Sequence, residues 1–322
     1  MSYTGGELVP GLSVVVPVFN SAATLLELVR RLEATLRQVP DGFEVILVND
    51  GSRDASWATI EELTTARPWL RGINLMRNYG QHNALLCGIR AATRSITVIM
   101  DDDLQHPPEE IPKLLEVLAQ GHDAIYGTAQ HHPHGFWRDT AARITKLALQ
   151  SALGAETARK VSPFRAFRTQ LRDAFARYQS PFVSIDVLLT WGTTRFAAVP
   201  VQYDPRPVGR SQYTFRQLVT HALNMMTGFS TLPLQLATIV GFGFTLFGVL
   251  VLVVVLGRYL LHGVDVPGFT FLASIVAVLS GAQLFALGIF GEYLARIHFR
   301  MMERPPYVVR SATLPKQTGD PE

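Results

Sequence analysis

The chain has 322 residues, of which 17% are charged and 48% hydrophobic, with a net charge of +3 and a mean hydropathy of +0.19. That length suits one large domain or two modest ones, and the hydropathy is high for a soluble enzyme because the apolar excess lies mostly after Pro233. The mild charge without a long basic block argues against nucleic acid as a partner, and Cys87, the single cysteine, excludes an internal disulfide.

Met1 to Gly11 has neither a basic nor an apolar signal region, so the first domain is expected to stay in the cytoplasm. Leu12 to Val18 is a β-branched run of the buried parallel type, and Leu25, Leu28, Val29, Leu32 and Leu36 then share one helical face. Phe43 to Val48, Arg71 to Met76, Ser95 to Met100 and Asp123 to Tyr126 predict four further strands, with helices from Asp54, after Gly80 and after Pro108. Strand and helix alternate in this way only in an α/β domain with a mostly parallel, doubly wound sheet.

The polar clusters follow the strands. Asp101, Asp102 and Asp103 stand between a strand and a helix, at the carboxyl edge where open α/β sheets bind ligands. Carboxylates so close repel one another, and Mg²⁺ or Mn²⁺, completed by water and substrate phosphates, is the usual remedy. A solvated acidic turn ahead of a helix is the bland alternative. Pro17, Phe19 and Asp50 end the first two strands, where a base and ribose would sit, although Asp50 also suits an Asx-turn through Gly51 and Ser52. Arg77 suits a diphosphate or an acidic neighbour equally. Arg206, Gly209, Arg210, Ser211 and Tyr213 form a basic segment fitted to phosphates or to anionic headgroups.

From His131 to Gln202 the pattern is less regular. His131, His132 and His134 lack a clear fourth ligand and read better as a polar lid than as a metal site, and Phe136 to Leu153 has amphipathic spacing. Phe215 to Leu232 is amphipathic too. Leu236 to Gly257 and Phe269 to Gly291 then run without a charge, each long enough to span a bilayer. Arg296, Arg300, Arg304, Arg310 and Lys316 follow the second, which places both ends on the cytoplasmic side of an inner membrane. The expected organisation is a catalytic domain over 1–211, membrane-proximal helices over 212–233, a transmembrane hairpin over 234–296 and a cytoplasmic tail over 297–322.

V-V-V-P-V-F-N from Val14, V-N-D-G-S-R-D from Val48, R-N-Y-G-Q-H-N-A-L from Arg77, D-D-D-L-Q-H-P-P-E-E-I-P from Asp101 and R-P-V-G-R-S-Q-Y from Arg206 together resemble the family 2 glycosyltransferases that act on polyprenyl phosphates. Dolichyl-phosphate mannose synthase and the undecaprenyl-phosphate aminoarabinose transferases belong there. The likeness to the latter extends to G-A-Q-L, G-E-Y-L-A-R-I and R-P-P-Y, which begin at Gly281, Gly291 and Arg304. The resemblance implies a GT-A fold, a nucleotide-sugar donor (most simply a UDP-sugar), a polyprenyl phosphate acceptor such as undecaprenyl phosphate, Mg²⁺ or Mn²⁺, and inversion at the anomeric carbon. It assigns Pro17, Phe19, Val48, Asp50, Arg77, Asp101 and Asp102 to the nucleotide, and Asp101, Asp103 and Gln105 to the metal. Asp103, Arg206 and Arg210 become the catalytic residues. The acceptor phosphate falls to Arg159, Lys160, Arg165, Arg206, Arg210 and Ser211.

Three positions depart from the family pattern: Ser21 stands for Glu, Gln212 for Lys, and Arg159 to Pro163 replaces a Gly-Asp. The last removes a carboxylate. A phosphate acceptor, ionised near neutrality, needs no general base, so no Asp or Glu between Ser151 and Val199 is expected to be essential. The rivals are a processive polysaccharide synthase, which lacks support because no Q-x-x-R-W is present, and a catalytically dead membrane scaffold, which the intact acidic triplet argues against. The sequence leaves a homo-oligomer open and does not name the sugar.

Overall fold

A computed structural model of the chain describes residues 8–129, 161–180, 183–204, 232–262 and 268–313. The histidines at 131–134 and the amphipathic stretches 136–153 and 215–231 lie outside the described residues. Six strands and five helices build the first half of the fold and its return: β1 (Val9–Val18), α1 (Ala22–Leu36), β2 (Phe43–Asn49), α2 (Ser56–Thr65), β3 (Leu70–Leu75), α3 (Gln81–Ala91), β4 (Arg94–Ile99), α4 (Ile111–Ala119), β5 (Ala124–Ala129), β6 (Arg165–Arg168) and α5 (Ile185–Thr190). β7 (Phe196–Val201) closes this part. The two long helices α6 (Leu232–His262) and α7 (Phe269–Met301) follow, and then β8 (Val309–Ala312).

The strands form one sheet in the order β7-β5-β6-β4-β1-β2-β3-β8. β4, β1, β2 and β3 run parallel. β6 is antiparallel to both β4 and β5, and β8 is antiparallel to β3. The central strands are buried on both faces, and the two-residue side-chain period divides them between two cores. Val14, Val16, Val45 and Leu47 join Leu25, Leu28, Leu32 and Leu36 of α1 on one side. Val15, Ile46 and Val48 meet Leu85, Leu86 and Ile89 of α3 on the other. Each such side chain contributes about 1.5–3 kcal/mol by leaving water. α3 lies so close that a Cβ on Gly88 would come within 2.3 Å of Val15 Cγ1.

Glu44 ties the far end of the sheet together. It is buried and accepts from Ser13 Oγ (2.7 Å), the Thr93 amide (2.6 Å), Thr93 Oγ1 (2.8 Å) and Arg71 Nη1 (3.0 Å). Burial pushes its carboxyl upward, and these donors outweigh burial, leaving it below its ordinary value of 4.5. Its stabilisation is therefore present above that value and lost as pH falls through the lowered one. Glu44→Ala should destabilise the protein by about 2–4 kcal/mol near neutrality, because several buried donors lose their acceptor. The gap between variant and wild type, read as melting temperature against pH, should shrink only below the ordinary glutamate range.

The two long helices present Leu246, Val249, Leu250, Leu252, Val253, Leu284 and Phe285 outward, each more than half exposed. Within Pro233–Arg258 and Val278–His298 the most apolar stretch of each helix has no buried residue, so these segments expose an apolar surface that a bilayer covers and water does not, as in a membrane protein rather than a buried soluble hairpin. At 33 residues α7 is roughly 50 Å long, more than a bilayer core requires, and its last turns carry the Glu292–Arg296 pair (2.8 Å). The chain then returns to the sheet. Thr313 Oγ1 accepts the Gly72 amide at 2.7 Å, and Tyr307 is largely buried beside Arg90, 5.8 Å from ring centroid to guanidinium carbon. The return through β8 was not visible in the sequence, where Val309–Ala312 reads as part of a tail.

Candidate active site

The parallel strands β1, β2, β3 and β4 all end at one edge, so the turns that follow them converge. Pro17, Val18, Phe19, Asp50, Asn78, Gly80, Gln81, Asp101, Asp102 and Asp103 line a single cleft of about 260 Å³ there, near the lower end of the range of roughly 300–1,000 Å³ for small-molecule sites.

Asp50 is buried at the end of β2, and its two carboxylate oxygens accept the Tyr79 and Gly80 amides at 2.7 and 2.8 Å. Burial raises its pKa and the two amides oppose the rise. It thus braces the loop after β3 as well as lining the cleft. The Asx-turn expected for Asp50 is replaced by these long-range bonds, and the Ser52 amide donates instead to Asn49 Oδ1, three residues back, at 3.4 Å. Gly51 has φ +67°, and a Cβ there would lie 2.4 Å from the Asn78 amide, so this junction admits only glycine.

The acidic turn occupies the opposite wall. Asp101 Oδ1 accepts Gln81 Nε2 at 2.6 Å, Asp102 Oδ2 accepts the Phe19 amide at 3.2 Å, and Asp103 Oδ1 accepts the Gln105 amide at 3.1 Å. Burial pushes the Asp102 carboxyl up to about 6; hydrogen bonds from Ser21 and Phe19 oppose this, and the Asp103 charge adds to it. Phe19 is 44% exposed at the lip, an aromatic face open to a planar ligand. Among the described residues no cluster of three or more His, Cys, Asp or Glu could enclose a metal ion alone. One or two carboxylates facing an open cleft are instead the donor set of a Mg²⁺ or Mn²⁺ ion shared with substrate phosphates and water, so the residues present fit such an ion.

Pro17, Phe19, Asp50, Asp101, Asp102 and Asp103 therefore meet as the sequence suggests. Four other candidates are placed elsewhere. Val48 is fully buried against α3, because its strand turns alternate side chains into the core. Arg77 is exposed and stacks on the Tyr79 ring at 4.6 Å, outside the cleft wall. Gln105 contributes its backbone rather than a wall: its carbonyl receives the Asp204 amide at 2.8 Å. Arg165, expected on the acceptor phosphate, is buried and paired with Asp186, which also accepts Tyr126 Oη at 3.0 Å. Burial, then the Asp186 charge, hold that tyrosine hydroxyl far above its usual range, so it stays a donor. Arg159, Lys160, Arg206, Arg210 and Ser211 lie outside the described residues. Gln81 and Asn78 were missed; the available signal was their position, since they follow β3 as Asp101 follows β4.

The residues 13–177 match the family described as Glycosyl transferase family 2. The protein belongs to that family and is a glycosyltransferase with a GT-A-type domain. Undecaprenyl-phosphate 4-deoxy-4-formamido-L-arabinose transferase of Aeromonas hydrophila subsp. hydrophila is 34% identical over 317 residues, covering 95% of this chain and 96% of its own. The protein of the same name from Pseudomonas aeruginosa is 33% identical over 301 residues, covering 92% and 88%. Among solved structures, glucosyl-3-phosphoglycerate synthase from Mycobacterium tuberculosis, in complex with Mn²⁺, UDP and glucosyl-3-phosphoglycerate, has the same fold with a TM-score of 0.50 at 17% identity, over 68% of this chain and 80% of that one.

Proposed function

We propose that this enzyme transfers a sugar from a UDP-sugar to undecaprenyl phosphate, with inversion, on the cytoplasmic face of the inner membrane, for an envelope glycan or a lipid A-type modification. The observation that carries the reading is that the likeness to the undecaprenyl-phosphate transferases runs through the cleft and both long helices alike, over 95% of the chain. A water-soluble donor and a lipid acceptor require both parts. The domain organisation follows: a catalytic unit to about residue 211, membrane-proximal helices, the hairpin, and a cytoplasmic end.

Phe19 and Pro17 would hold the base and Asp50 the ribose side, with Asp101 and Asp103 beside the diphosphate. Those two carboxylates would hold Mg²⁺ or Mn²⁺, whose charge, when bound, neutralises the departing diphosphate. Arg206 and Arg210 supply cationic donors to phosphate. The acceptor's second ionisation lies near 6, so an anionic oxygen is available at neutral pH. It forms the bond to the anomeric carbon as the bond to the diphosphate breaks, and UDP leaves.

Two experiments test this. Purified protein, undecaprenyl phosphate and a panel of radiolabelled UDP-sugars, the 4-deoxy-4-formamido-arabinose derivative first, should give label in the lipid phase from at least one donor; none from any donor refutes the reading. For the topology, a cysteine at Gly263 in a Cys87-free background should react with an impermeant maleimide from the periplasmic side, whereas one at Thr318 should not. The reverse pattern overturns the orientation.

A further inference from the structure

The chain leaving β7 is fastened to the acidic turn by consecutive contacts. The Gln202 amide donates to Glu110 Oε2 at 3.1 Å, and Lys113 holds that carboxylate at 2.6 Å. The Tyr203 ring meets His106 edge-on, with centroids 5.2 Å apart. The Asp204 amide donates to the Gln105 carbonyl at 2.8 Å. From the other side Phe164, just before β6, stacks on the same imidazole at 5.4 Å. His106 is 6% exposed and stands where three segments meet: the turn carrying Asp101 and Asp103, the start of β6, and the chain that runs on to Arg206. Among the described residues its Nδ1 has no hydrogen-bond partner. Its contacts with Phe164 and Tyr203 are ring-to-ring contacts.

We propose that His106 is a positioning residue: its ring, packed between Phe164 and Tyr203, holds Gln202–Asp204 against the acidic turn and so fixes the placement of that turn, which carries Asp101 and Asp103 into the cleft. The catalytic part of this inference rests on the transferase reading above; the clamp itself does not. Misplacement by about 1 Å costs transfer enzymes about 10²-fold, which sets the scale expected.

The test compares His106→Ala and His106→Phe in the full-length protein, by hydrogen exchange of the Gln202–Asp204 amides and by kcat and KM for donor and acceptor. His106→Ala should speed exchange by about tenfold or more and lower kcat by about 10²-fold with donor KM nearly unchanged, and His106→Phe should restore both. Unchanged exchange in His106→Ala removes the clamp. Faster exchange with undiminished kcat removes its positioning role. A folded His106→Phe as slow as His106→Ala shows that the nitrogen matters, not the ring. If His106→Ala fails to fold, Tyr203→Ala, which removes a ring 39% exposed, makes the same comparison. Should the wild type transfer nothing to lipid, the transferase reading falls and the exchange measurement alone decides the clamp.

Discussion

Asp103→Ala should abolish transfer, by about 10³-fold or more, while leaving the protein folded. The loss reflects several kcal/mol of electrostatic stabilisation that the acidic turn is placed to organise at the leaving diphosphate. The fold should survive because Asp103 is only half-buried and its carboxylate caps a single turn at Gln105. Removing it also relieves repulsion on Asp102, whose carboxyl burial and the Asp103 charge already push upward. The melting temperature should therefore hold or rise slightly as activity vanishes. A variant that retains more than about a tenth of the wild-type rate, or one that unfolds, contradicts this role; excess EDTA should mimic the variant in the wild-type protein.

Asp186→Ala should do the opposite, costing stability before chemistry. Its carboxylate and the Arg165 guanidinium are 9% and 4% exposed, and Tyr126 closes the group. Deleting one partner strands a buried charge, at about 3–5 kcal/mol, or roughly 6–20 °C of melting temperature. Changing Arg165→Met together with Asp186→Leu should recover most of this loss, since no charge is then left alone. The sequence leads one to expect only a modest effect at Asp186; the buried pair adds this structural penalty. A folded Asp186→Asn with intact donor affinity and a rate lower by about 10³-fold would instead make Asp186 a general base, and the view that the acceptor phosphate serves as its own nucleophile would fail.

The strands β1 to β5 were legible because each is a short β-branched or apolar run followed by turn residues, and the cleft was legible because parallel strands deliver their ends to one edge. β6 was not, since Arg165-Ala-Phe-Arg168 carries a charge at both ends and owes its place to pairing with β4 and β5. β7 contains Pro200, which an edge strand tolerates and a sequence pattern penalises. β8 pairs with β3 across the whole membrane hairpin, a contact that no local pattern encodes. The site misplacements have the same origin. Val48 was assigned to the nucleotide by resemblance, but the two-residue period turns its side chain inward beside Ile46. Arg165 looked free because its partners, Asp186 and Tyr126, are distant in sequence and meet it only in the fold.

The central claim is that the sugar alone moves, from the nucleotide to a lipid phosphate. Mass analysis of both products tests it most directly. The account predicts free UDP and a lipid whose mass is that of undecaprenyl phosphate plus one glycosyl residue, with a single phosphate. Release of UMP with a lipid diphosphate, or of free sugar with the lipid unchanged, would contradict it.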